Sequence, residues 1–127
     1  MSQRCFILAF LAACWLVRCA GPHPCPDGPD PAVDYTGEWD SEWGRVRLQQ
    51  QGYLASGTYT YIASDRPVEG QLEGVVTGRV FRFRWSERDE AGFGWFTMTE
   101  DARAFVGSWW PDGGGDADTQ GWHGVRR

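Results

Sequence analysis

Lysine is missing from this chain altogether, so all 12 basic side chains are arginines. A GC-rich genome explains that bias without any functional demand. Histidine is nearly as scarce, with only His23 and His123. Cysteine is confined to the first 25 residues, at Cys5, Cys14, Cys19 and Cys25. The stretch from Tyr35 onward therefore has no disulfide framework, no cysteine-based metal spacing and no thiol nucleophile. No apolar run reaches the roughly 20 residues that a membrane-spanning helix needs. The longest, Cys5–Val17, has 13. No 11-residue window carries a helical apolar stripe, and 17 glycines disfavour long helices. There is no excess of positive charge: the formal net charge is −5, which argues against nucleic acid as a partner.

Met1–Val17 has the layout of an export signal, with Arg4 in a short positive lead and an apolar run behind it. Leu11-Ala12-Ala13-Cys14 matches the bacterial lipoprotein signal, in which an acylated cysteine follows two small residues. Leu16-Val17-Arg18-Cys19 has the better length but places Arg18 where a small residue belongs. Ordinary cleavage near Cys19–Gly21 is the third option. Residues 1–20 are thus expected to be a signal peptide or lipoprotein signal, with Cys14 and Cys19 as the two lipidation candidates. Cleavage before Cys19 removes Arg4 and Arg18, leaving 10 arginines against 17 acidic residues, a formal charge of −7. Residues 21–34 form an extended tether, since Gly21–Val33 holds five prolines and no apolar period. His23 and Cys25 are two soft ligands on that loose tether, too few to make a metal site.

Residues 35–127 read as one all-β domain. Eight strands are expected near Tyr35–Ser41, Arg45–Gln50, Tyr53–Tyr61, Val68–Glu73, Val75–Ser86, Gly92–Thr99, Ala104–Trp109 and Gly121–Arg126. Alternation is cleanest in the fifth, where Phe81, Phe83 and Trp85 point one way and Arg82 and Arg84 the other. Val46 and Leu48 alternate with Arg45 and Arg47 in the same manner. One dry and one charged face is the mark of antiparallel strands over a single core. Short connections favour an up-and-down meander that closes as a small barrel, which removes exposed edges; a two-sheet sandwich is the competitor.

The order of motifs resembles that of small, exported, uncharacterised bacterial β-barrel proteins. It runs through Gly37-Glu38-Trp39, Trp43–Gly52, Gly57-Thr58-Tyr59, Gly70–Gly74, Phe81–Phe83, Phe105–Trp109 and Gly121–Arg126. The last motif departs slightly, with Gly121 directly before Trp122. The resemblance covers Tyr35 to Arg126 and implies a fold rather than an activity. The layout is also similar to the avidin-like barrels. There Tyr59 corresponds to a ligand-bonding tyrosine, Tyr61 to a hydroxyl residue, Phe83 and Phe105 to stacking tryptophans, and Asp101 and Arg103 to a small polar pair. Only Tyr59 keeps the residue type, so that likeness implies layout and not biotin as ligand. A weaker resemblance is to MORN repeats, carried by Gly92–Trp109 and by Tyr35–Trp39, with a broken period between them.

Catalytic chemistry finds little material. His123 is the domain's one base titrating near neutrality, and its alternation with Trp122 sends it to solvent. Glu38, Asp40 and Glu42 share a strand face, as paired carboxylates of a glycosidase would. Beside Arg45 and Arg47 they read instead as outward cross-strand charge pairs. Asp112–Asp118 is acidic but lacks the twelve-residue calcium loop and its terminal Glu. No enzyme, cofactor or metal is expected. Seven of the eight tryptophans follow residue 35. With the other rings they either fill the core or line an apolar pocket or sugar-stacking surface. Candidate ligand-binding residues are Trp39, Tyr59, Phe83, Trp85, Phe105, Trp109 and Trp122. The expected function is an exported or lipid-anchored bacterial envelope protein, held to the membrane only through its N-terminal lipid, whose barrel binds a small apolar ligand. The alternative is a structural or protein-interaction module of the same envelope.

Overall fold

The structure, a computed structural model, describes residues 30–127. The export signal, most of the proline-rich tether and both lipidation candidates, Cys14 and Cys19, lie outside the described residues. Eight strands follow one another: β1 Gly37–Ser41, β2 Gly44–Gln51, β3 Leu54–Ala63, β4 Arg66–Thr77, β5 Val80–Glu87, β6 Glu90–Met98, β7 Ala104–Pro111 and β8 Gln120–Arg126. Each pairs antiparallel with its sequence neighbours, and β8 returns to β1 through Trp39 opposite Arg126 and Ser41 opposite Gly124. The sheet is a closed barrel, which excludes the sandwich. The segment with MORN-like spacing forms β6 and β7, each paired on both sides within the barrel.

Strand alternation sets the inside and the outside. Trp39, Val46, Leu48, Ala55, Tyr59, Leu72, Val76, Phe81, Phe83, Trp85, Phe96, Met98, Phe105 and Trp122 are buried in the lumen. Fully burying an apolar side chain of this size contributes about 1.5–3 kcal/mol. So many rings fit inside eight strands because glycine stands across the ladder from them. Phe83 lies between Gly74 and Gly94, Trp85 opposite Gly92, and Phe105 opposite Gly124. A methyl on Gly94 would stand 2.6 Å from the Phe83 ring, inside contact distance. The outer face carries the charges. Glu38 pairs with Arg47 and Asp40 with Arg45 in register, at 3.3 and 3.9 Å.

Several strand ends differ from the sequence reading by a residue or two, and the largest difference is where the fourth strand gives way to the fifth. The fourth strand continues through Gly74 to Thr77, and the turn falls at Gly78, whose φ is +60°. Gly74 gives way to the neighbouring strand, since a side chain there would meet the Arg82 carbonyl at 1.9 Å. Both glycines are punctuation in sequence, but only one makes a turn.

The two ends of the barrel differ. At the end where the chain enters, Pro31 bridges to Gly78, and the Ala32 amide donates to the Gly78 carbonyl at 2.7 Å. Tyr35 then plugs the lumen, fully buried. Its hydroxyl donates toward the Arg79 and Phe96 carbonyls at 2.8 and 3.2 Å. The Trp39 indole donates to the Tyr35 carbonyl. Phe96 stacks on Phe105 at 3.8 Å just behind this plug. The opposite end, formed by the β1–β2, β3–β4, β5–β6 and β7–β8 connections, is the open one.

Candidate binding mouth

Continuing the inward alternation toward the open end brings new residue types into the lumen. In β3, Tyr61 follows Tyr59. In β5, Glu87 follows Phe81, Phe83 and Trp85. In β7, Trp109 follows Phe105 and Gly107. With Trp43 from the β1–β2 turn, Trp122 from β8 and Glu90 from the start of β6, these residues line a cavity of about 60 Å³. That volume takes a group of a few heavy atoms, since a single water needs roughly 10–15 Å³ on the same scale.

The rings form a box. Trp109 meets Trp43 and Trp85 edge to face, each at 5.3 Å between centroids and with interplanar angles of 89° and 90°. Trp43 is also near-perpendicular to Tyr61, at 5.9 Å. Tyr59 and Tyr61 lie parallel, and Tyr59 stands edge-on to Trp122. Such perpendicular contacts are the favoured aromatic geometry and hold each ring against its neighbours. Three indole N–H groups have acceptors: Trp43 donates to the Gly121 carbonyl, Trp122 to Ser41 Oγ and Trp85 to the Trp110 carbonyl. Trp109 Nε1 is buried with no partner among the described residues. An orphaned donor of this kind costs about 1–3 kcal/mol.

Glu87 stands at the rim, directly across the β5–β6 ladder from Glu90. Tyr59 Oη donates to Glu87 Oε1 at 2.6 Å and Tyr61 Oη to Glu87 Oε2 at 2.8 Å. Burial first, and then these bonds and the carboxylate charge, raise both phenols well above their ordinary range; Tyr61 is pushed up to about 12. Both stay neutral donors at physiological pH. Among the described residues neither Glu87 nor Glu90 forms a salt bridge, whereas Glu38, Asp40, Glu42 and Asp112 each have a cationic or histidine partner.

The seven residues singled out from sequence divide by depth. Tyr59, Trp85, Trp109 and Trp122 reach the mouth. Trp39, Phe83 and Phe105 are packed in the closed core, where Trp39 lies against Phe105 and Phe83 against Phe96. Four lining residues were not among those candidates: Trp43, Tyr61, Glu87 and Glu90. Glu87 was legible in principle, because it occupies the next inward position of the best-alternating strand. The expected strand ended one residue too early, at Ser86.

The remaining candidates have other roles. His123 faces solvent, where its amide and Nδ1 bond the two carboxylate oxygens of Glu42. Asp101 caps the β6–β7 turn through Thr99 Oγ1 and the Arg103 amide, which pulls its carboxyl below the usual range. Asp112 forms a bidentate pair with Arg84 at 2.7 and 3.0 Å, and Arg84 in turn lies over the Phe93 ring. Among the described residues no group of three or more His, Cys, Asp or Glu side chains is placed to hold a metal ion. No helix among them is long and apolar enough to cross a membrane.

Fold and site together define a small closed antiparallel β-barrel, solid along most of its length and opening at one end into an aromatic mouth. Compared with known protein families, curated proteins and solved structures, the chain finds no match in any of the three.

Proposed function

We propose that this protein is a non-enzymatic binding module, exported or lipid-anchored in a bacterial envelope, that takes a small ligand or the apolar end of a larger one into its open mouth. The observation that carries this reading is the difference between the two ends. Tyr35 plugs one end, its hydroxyl proton shared between two carbonyls, while the other leaves Trp43, Tyr61 and Trp109 only half-buried around a cavity. A barrel built only for stability would gain by closing both ends. Buried apolar walls with a few converging polar groups are the usual make-up of a ligand site. The polar groups here are set for holding rather than proton transfer, because both Glu87 oxygens already accept phenol hydrogen bonds.

Native mass spectrometry of the protein isolated from its own host tests the proposal. A bound small-molecule mass that is lost in Trp109→Ala supports it. An unloaded barrel, together with unchanged tryptophan fluorescence across a panel of small apolar and amphipathic compounds, would sink it.

The second reading is an interaction module, favoured by the outside of β6 and β7. There Phe93 is 45% exposed and lies beside Trp110 in the ladder, with Val106 also exposed. Cross-linking in envelope preparations separates the two readings. Capture of one defined protein partner through this outer face, with an empty mouth, would favour the second.

A further inference from the structure

We infer that the mouth is selective for an alkylated ammonium group, a conclusion that rests on the binding reading above and narrows its ligand to a cation. Aromatic walls and rim carboxylates occur together in this mouth. A poorly hydrated cation is attracted to the negative faces of aromatic rings, and cages of Trp and Tyr are the recurrent solution for methylated ammonium groups. Here Trp109 buttresses both Trp43 and Trp85, giving three walls, and Tyr61, set against Trp43, supplies a fourth.

The rim supplies the charge. Glu87 is oriented by two phenol donors, one per oxygen, and neither donor carries a positive charge. Each carboxylate oxygen has two acceptor sites, so one per oxygen remains. Glu90 adds a second carboxylate at the rim. Neither carboxylate has a basic partner among the described residues, and both face the mouth and its aromatic walls. The cavity of about 60 Å³ suits a compact headgroup, with the rest of the ligand left in solvent. A neutral apolar ligand would use the walls but would leave the carboxylates unanswered. An anion would meet them directly.

Choline is the probe, because it carries a permanent alkylated ammonium group on a small soluble molecule. Its neutral isostere, with carbon in place of nitrogen, has the same shape without the charge. Tryptophan fluorescence and calorimetry on the purified protein are expected to show choline binding at least about tenfold tighter than the isostere. Glu87→Gln is expected to remove most of that preference, read as the ratio of choline to isostere affinity in the same variant. Glu90→Gln, at an exposed position, gives a smaller loss in the same direction and does not depend on the Glu87 network for folding. Equal or tighter binding of the isostere overturns the cation inference and leaves the binding module standing. Binding of neither overturns the cation inference, and the binding module is then decided by the native mass measurement above. Co-sedimentation with phosphatidylcholine vesicles, against phosphatidylglycerol vesicles, distinguishes the sources. Retention on the first alone assigns a lipid headgroup. Free choline binding without retention assigns a small soluble cation.

Discussion

Gly70 lies directly beneath the ring of Tyr59, its cross-strand partner in β3–β4, so closely that a methyl group there would sit 2.1 Å from Tyr59 Cζ. This pair joins the fold to the mouth. The bare backbone at Gly70 lets the Tyr59 ring lie across β4 and carry its hydroxyl to Glu87.

The first prediction follows from that contact. Tyr59 is held by Trp122 and Tyr61, so it has nowhere to retreat. Gly70→Ala is expected to destabilise the barrel by about 1–3 kcal/mol, the usual cost of forcing extra volume into a packed core. It should also displace the hydroxyl from Glu87. Urea unfolding measures the first effect, and the tyrosine titration described below the second. A neutral Gly70→Ala would mean that the ring is not confined.

The closed end makes the second prediction. Tyr35→Phe keeps the plug but removes the hydroxyl that serves the Arg79 and Phe96 carbonyls. The expected loss is about 1–2 kcal/mol, that of a buried hydrogen bond with an acceptor left dry. Tyr35→Ala also leaves a cavity, and about 3–5 kcal/mol is expected from chemical denaturation. Because the plug is remote from the mouth, Tyr35→Phe should leave ligand affinity untouched.

Much of this architecture was legible in the chain. Alternation in β5 and β2 assigned the inside and outside correctly, because a strand with one wet face must alternate with period two. The number of strands followed from the spacing of turn residues. Barrel closure was favoured by the short connections and is what the strands do. The register of β1 against β8, about 80 residues apart, was not legible, because no local pattern encodes it. Gly74 and Gly78 show a second limit: glycine serves both as a turn former and as a hollow under a ring, and the two look alike in one dimension. The mouth was half legible for a related reason. Its depth ordering, which separates Phe105 in the core from Trp109 at the rim, arises from where each strand meets the barrel's end. Trp43 is placed by a turn and not by a strand.

A third prediction concerns the β3–β4 turn, the two-residue link Ser64-Asp65. Both residues have positive φ, +52° and +64°, although neither is glycine. Tight hairpins of this hand favour Asn-Gly, because Asn tolerates and Gly freely adopts the left-handed region. Ser64→Asn combined with Asp65→Gly is expected to stabilise by about 0.5–1 kcal/mol, read as a raised urea midpoint with an unchanged slope. A lowered midpoint would show that the native side chains contribute more than the strained backbone costs.

Arg126 supports a fourth prediction. Its guanidinium lies over the Trp39 ring at 4.2 Å and donates to the carbonyls of Asp34, Thr36 and Ala102. One side chain thus ties the closing strand to the entering chain and to the β6–β7 turn. Lysine keeps the charge but cannot reproduce a planar fork with several donors. Arg126→Lys is expected to cost about 1–2 kcal/mol, from lost hydrogen bonds rather than lost charge. High salt should not reproduce the effect, which separates this reading from simple ion pairing.

The last prediction is a pH dependence at the mouth. Burial and the Glu87 bond raise Tyr61 from 10.0 to about 12 in the folded barrel. A phenol whose folded pKa lies above its unfolded one favours the native state while it stays protonated. That contribution is complete below pH 10 and is lost as pH rises through 12, because over this range the unfolded chain releases its proton first. Tyr59 is raised further by the same causes and reinforces the trend. Stability measured against pH should therefore be flat with respect to these groups up to about 10 and then fall. Glu87→Gln removes the carboxylate charge, so ultraviolet titration of tyrosinate should show the Tyr61 step moving down toward 10, with burial alone holding it above. A Tyr61 step that stays near 12 in Glu87→Gln would mean that burial sets it and that the carboxylate contributes little field to the mouth. That result would also remove the electrostatic basis for cation selectivity there.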